Sequence, residues 1–141
     1  IGVGILQKWS NDIAVNDLEI AAGIKAWADI LRPRQIMFDK YATQSIADRL
    51  ANSGQVVEDC SSQNFYQACG DLLDSIVTKK LVHNGQRDFI EQFQNVAAKV
   101  SDSAWRIVKR RSAGDISAPI SVAMIIWKLT KPQQIAAIHS E

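Results

Sequence analysis

Apolar residues recur along this chain with two different spacings, and the spacing predicts where it forms helices and where it runs extended. Ile20, Ile24, Trp27 and Leu31 repeat at helical spacing, with Ala21 and Ala28 beside them. Asn16 stands ahead of that run with Glu19 three residues on, a capping-box arrangement, and Pro33 ends it. A second helix is predicted over 43–53, with Ile46, Ala47 and Leu50 on one face and Gly54 just past its end. A third starts at Ser61 or Ser62 and runs to Lys80, its inner face formed by Phe65, Cys69, Leu72, Leu73, Ile76 and Val77. A fourth covers 87–100 and carries Phe89, Ile90, Phe93, Val96 and Ala97. The last, 117–129, is apolar on every side, with Lys128 its one charge and Pro119 in its first turn. A helix of that kind is normally buried, and a proline in its first turn costs little.

Short extended pieces fall between the helices. The stretch 1–6 reads as a strand or the tail of one, and 9–15 as a second extended piece. Residues 35–39 form an apolar strand that ends in Asp39, and 55–59 a short strand. Leu81-Val82-His83 is closed by the turn signal Asn84-Gly85. Trp105, Ile107 and Val108 form a strand, followed by Lys109-Arg110-Arg111 and Gly114-Asp115-Ile116. Residues 130–141 read as a C-terminal tail. Helices and strands alternate with connections too long for simple hairpins, which predicts an α/β layered domain with some parallel pairing over 1–129.

Composition narrows the choices. With 141 residues, 47% hydrophobic and 22% charged, the chain suits one globular domain with its own core. A net charge of +1 gives no global drive toward nucleic acid, so such a partner needs a local basic patch. Cys60 and Cys69 fit no metal spacing and lie in apolar surroundings, so buried reduced thiols are expected. No apolar run approaches the roughly 20 residues that cross a bilayer, and no basic-then-apolar leader is present. The chain opens at Ile1 without a methionine, which reads as a fragment.

Two carboxylates stand out by position. Asp39 ends a strand and Asp115 precedes the apolar helix. In open α/β sheets ligands collect at the carboxyl ends of strands, and two carboxylates brought together there can hold hard divalent cations. Two such ions roughly 3.5–4 Å apart clamp both the attacking and the leaving oxygen of a phosphodiester. The competing reading makes both residues ordinary helix caps. Lys109, Arg110 and Arg111 could meet phosphates or could be a solvated strand end. His83 fits a structural role beside its turn, and Trp9, Trp27, Trp105 and Trp127 fit core packing. The phosphate-loop signature is absent, Ile1-Gly2-Val3-Gly4 is too short for a dinucleotide fingerprint, and no Ser/His/Asp or zinc arrangement is present.

The order of these features resembles a known family. Phe38-Asp39-Lys40-Tyr41 precedes a helix and then a Val56-Val57-Glu58 strand. Lys80-Leu81-Val82-His83-Asn84-Gly85, Phe89, Asn95 and Lys99 follow. Trp105-Arg106-Ile107-Val108-Lys109-Arg110 and Gly114-Asp115-Ile116-Ser117-Ala118 then lead into the apolar helix. From about Leu18 to Leu129 the chain resembles the C-terminal nuclease domain of the large terminase subunit of tailed bacteriophages.

The resemblance implies a ribonuclease-H-like fold, a central mixed sheet flanked by helices. It also implies a two-metal endonuclease that cuts concatemeric viral DNA during packaging. In that family three acidic residues bind two Mg²⁺ or Mn²⁺ ions. Asp39 would be the strand-end aspartate and Asp115 the one before the last core helix. The family's first strand and its aspartate have no counterpart here, and two carboxylates alone would leave two ions under-coordinated. The phosphate-loop ATPase is absent too, so ATP hydrolysis is not expected of this chain. Implied partners are double-stranded DNA, the terminase ATPase domain, the small subunit and the portal, in the cytoplasm of a bacterial host. The rival readings are a non-catalytic prophage remnant that docks DNA or packaging proteins, and another ribonuclease-H-like enzyme such as a junction resolvase.

Overall fold

The computed structural model describes residues 1–9, 16–101, 104–108 and 112–131. Among the described residues five helices and four short strands follow one another. Helix α1 (Asp17–Leu31) starts where Asn16 Oδ1 accepts from the backbone N–H groups of Leu18 and Glu19, at 2.9 and 3.4 Å. It stops at Arg32, which turns into the left-handed region (φ 50°) just ahead of Pro33. Strand β1 (Ile36–Phe38) leads through Asp39 into α2 (Lys40–Asn52), and β2 (Val57–Asp59) returns beside β1. The two strands are parallel, with Ile36, Met37 and Phe38 opposite Val57, Glu58 and Asp59. Helix α2 begins earlier than the predicted 43 because Asp39 caps it, and the backbone kinks at Thr43.

Helix α3 (Gln63–Val77) packs chiefly on α5 (Ser117–Thr130) and forms the centre of the molecule. Ala68 and Cys69 of α3 and Ala123 and Ile126 of α5 are wholly buried. Small residues at such a contact let two helix backbones approach closely. Phe65, Leu72, Phe89, Ile107 and Trp127 extend this core. A second, smaller cluster of Ala21, Ile46 and Leu50 joins α1 to α2 over the β1–β2 pair. Helix α4 (Arg87–Asn95), β3 (Ala98–Ser101) and β4 (Ala104–Ile107) complete the fold, β3 and β4 being antiparallel.

Several expectations change. The helix predicted over 87–100 stops at Asn95, and 98–101 is strand instead. Val96-Ala97-Ala98-Lys99-Val100 suits either period, and its backbone finds an extended partner in β4, with Lys99 opposite Arg106 and Val100 opposite Trp105. The third helix ends at Val77 rather than Lys80, and Ile76 and Val77 are exposed rather than part of the inner face. Helix α5 is not buried all round, since Ile125 and Leu129 are 42% and 60% exposed. Among the described residues the strands form two separate two-stranded ladders rather than one central sheet. The expected first strand contributes a single parallel bridge, Gly2 with Val82. Most of the extended piece predicted over 9–15, and 132–141 of the tail, lie outside the described residues. Among the described residues no helix is long and apolar enough to cross a membrane.

Candidate functional site

Asp39 sits where β1 hands over to α2. Its side chain accepts a hydrogen bond from Tyr41 N at 3.0 Å, and its carbonyl accepts from Thr43 N and Thr43 Oγ1. The neighbouring parallel strand ends in a second carboxylate aimed at the same turn. Asp59 Oδ1 accepts from Lys40 N at 2.8 Å and Oδ2 from Ser61 Oγ at 2.7 Å. Two strand ends thus supply two carboxylates to the first amides of α2, where negative charge complements the helix dipole.

Asp115 lies one residue ahead of Ile116, the N-cap of α5. Oδ1 accepts from Ser117 N at 2.9 Å and Oδ2 from Gln92 Nε2 at 3.2 Å. The same glutamine takes the next amide, its Oε1 accepting from Ala118 N at 2.6 Å and from Ser117 Oγ at 3.4 Å. Pro119 has no N–H, and Ile120 N reaches Ile116 O at 3.2 Å. Each N–H in the first turn of α5 is therefore accounted for. Asn95, one turn beyond Gln92 on α4, donates from Nδ2 to Asp115 O at 3.2 Å, and its backbone carbonyl accepts from Ala113 N at 2.9 Å.

An open groove of about 740 Å³ runs past both helix ends. Asp39 and Asp115 both line it, along with Gln92, Ser117, Thr43 and Ser121. Its other wall is apolar, formed by α1 and α2 through Ile20, Ile24 and Ile46. The two sequence-predicted aspartates thus both line this groove, and each also accepts a backbone N–H at the start of a helix, as in the rival reading. Among the described residues no three His, Cys, Asp or Glu side chains group as a metal-binding set. Lys109, Arg110 and Arg111 lie outside the described residues. His83 has a structural role: its ring stacks on Phe89 with centroids 5.1 Å apart, and its Nδ1 accepts from Gly85 N.

Sequence reasoning missed Gln92 and Asp59. A signal for the first existed. Gln92 lies on the apolar stripe of α4 between Phe89 and Phe93 and is only 4% exposed, and a buried polar side chain needs partners. For Asp59 the signal was its place at the end of a short strand, the same one that marked Asp39.

A second groove, of about 1200 Å³, adjoins the first and shares Ile36, Met37 and Ser121 with it. Lys128 Nζ crosses it to Glu58 Oε1 at 2.8 Å, and Gln35 Nε2 donates to the same oxygen at 2.6 Å. Burial works to raise the Glu58 pKa, but the Lys128 and Gln35 hydrogen bonds and the positive charge of Lys128 outweigh it and hold the carboxyl below its usual range.

No family model matches this chain, and no curated protein does either. Its fold does match a solved structure. The crystal structure of the HK97 bacteriophage large terminase aligns with a TM-score of 0.68 at 13% identity over 81% of this chain. The chain spans about a quarter of that terminase, 25% of its length. At such identity the likeness establishes the fold, a terminase-like arrangement of helices and short strands.

Proposed function

We propose that this chain is the ribonuclease-H-like nuclease domain of a phage or prophage large terminase subunit, a metal-dependent endonuclease that cuts concatemeric double-stranded DNA during packaging. The observation that carries the reading is the shared groove. Asp39 and Asp115 are remote in sequence, yet both line one cleft in a chain whose fold aligns with a phage large terminase. Their carboxylate oxygens suit a hard divalent ion such as Mg²⁺ or Mn²⁺. A carboxylate offers about four acceptor sites, so the two hydrogen bonds described for Asp115 are compatible with further ligation. Bound there, such an ion would activate water and stabilise charge on the phosphodiester oxygens.

Asp39 and Asp115 would hold the metal from the ends of two rigid elements, and Gln92 and Ser117 line the groove beside them. Lys109, Arg110 and Arg111 are assigned contacts to the DNA backbone on the sequence alone. The terminase ATPase domain, the small subunit and the portal are the partners this reading implies. The test is Asp115→Asn in the intact protein. Asparagine keeps an oxygen for Ser117 N, so the fold should survive, while Mn²⁺-dependent nicking of plasmid DNA should disappear. Nicking at the wild-type rate would refute the assignment.

A further inference from the structure

The buried amide of Gln92 is built into the junction between α4 and α5, and its two ends face different tasks. Oε1 closes the helix N-terminus by taking Ala118 N at 2.6 Å, which fixes the orientation of the amide plane. Fixed that way, Nε2 points at Asp115 Oδ2 at 3.2 Å. Ser117 N holds the other carboxylate oxygen. Asn95 holds the backbone carbonyl of the same residue. Asp115 itself is exposed, so without these contacts its side chain would be free to rotate. Phe89 and Phe93, whose rings lie 4.8 Å apart, anchor the stretch of α4 that carries Gln92.

A capping role alone requires only the oxygen. A hydroxyl or carboxylate at this position would accept from Ala118 N equally well. The N–H end adds something a cap does not need: a donor to a carboxylate that the groove shares with Asp39. Resting on the nuclease reading above, we propose that Gln92 is a positioning residue that fixes the Asp115 carboxylate for a divalent cation. Outer-shell hydrogen bonds to ligating groups are worth about 10- to 100-fold in metal affinity, and that is the size of effect expected here.

The experiment is a calorimetric titration of the intact protein with Mn²⁺ alone, paired with thermal unfolding. Wild type should bind, Asp115→Asn should lose binding, and Gln92→Met should unfold cooperatively while binding Mn²⁺ about 10- to 100-fold more weakly. If wild type binds no Mn²⁺, or Asp115→Asn binds it unchanged, the nuclease reading falls and this inference with it. If those two behave as required but folded Gln92→Met binds like wild type, the positioning role alone is refuted. Should Gln92→Met fail to fold, Gln92→Glu decides. It keeps the acceptor for Ala118 N but loses the donor to Asp115, so Mn²⁺ should raise its melting temperature less than it raises that of wild type. An equal rise would refute the inference.

Discussion

Asn95 and Gly114 meet so closely that a Cβ on Gly114 would lie 2.9 Å from Asn95 Nδ2, the atom that donates to Asp115 O. The loop carrying Asp115 thus packs against α4 so closely that a methyl group on Gly114 must displace the Asn95 side chain. Gly114→Ala sets two terms against each other. Replacing glycine restricts the unfolded chain and stabilises by about 0.4–1 kcal/mol. Displacing Asn95 sacrifices a hydrogen bond of about 1 kcal/mol. Stability should therefore change by less than about 1 kcal/mol in urea unfolding, while Mn²⁺ affinity falls several-fold because the Asp115 backbone is released. Unchanged Mn²⁺ affinity would show that this contact does not hold the site.

Gly23 presents the same geometry to a different partner. A Cβ there would fall 2.6 Å from Cζ2 and 3.3 Å from Cε2 of the Trp9 indole. Helix propensity favours alanine over glycine inside α1 by about 1 kcal/mol. The indole is rigid and cannot yield as the end of a flexible side chain could, so it must leave the surface of α1. Gly23→Ala should therefore give little or no gain in stability and a red shift in tryptophan emission. Trp127, on α5 and 2% exposed, should keep its blue contribution. A clear stabilisation with unchanged emission would contradict the packing of Trp9 on α1.

Helices α1 and α2 were legible because they carry local markers. Asn16, Pro33 and Gly54 set their ends through caps and backbone conformation, and Gly54 indeed adopts a positive φ of 93°. Strand pairing carries no such marker. Three-residue strands such as Ile36–Phe38 are too short for alternation to tell which neighbour they join. The segment after Asn95 failed for the same reason: its apolar positions satisfy both periods, and only its partner decides. At the candidate site, Asp39 and Asp115 could be singled out by their places at element ends. Gln92 could not be paired with Asp115 from the sequence, since nothing local states which loop an α4 side chain will meet.

Glu58 and Lys128 tie β2 to α5 across the second groove, and this link should depend on pH. The folded carboxyl lies below its ordinary value of 4.5. Its contribution is therefore complete above that value and is lost as pH falls through the folded pKa. Both side chains are partly exposed, so the pair is worth only about 0.5–1 kcal/mol. Lys128→Met should lower stability by that amount at neutral pH, with the gap to wild type narrowing only as pH falls below 4.5 and through the lowered folded pKa of Glu58. Denaturation midpoints measured at pH 7 and at successive steps below pH 4.5 check this, and a gap that stays constant down to the acid-unfolding limit would remove the ion pair as its cause.

Cys60 should be unreactive in the folded protein and should weaken the fold in alkali. It is wholly buried, and burial, reinforced by the charges of Asp59 and Glu58, pushes its thiol up to about 12 from an ordinary value of 9.0. The thiolate is the nucleophile, so a disulfide reagent at pH 8 should modify neither Cys60 nor the equally buried Cys69 until denaturant is added. The unfolded thiol ionises near its ordinary value while the folded one stays protonated. Stability is therefore intact below pH 9 and declines as pH rises from 9 toward 12, by at most about 1.4 kcal/mol per pH unit. Cys60→Ala leaves a small cavity and lowers stability at neutral pH, but it removes this titration. Its stability should fall less steeply than that of wild type between pH 9 and pH 11, and parallel declines would mean that another group governs alkaline unfolding.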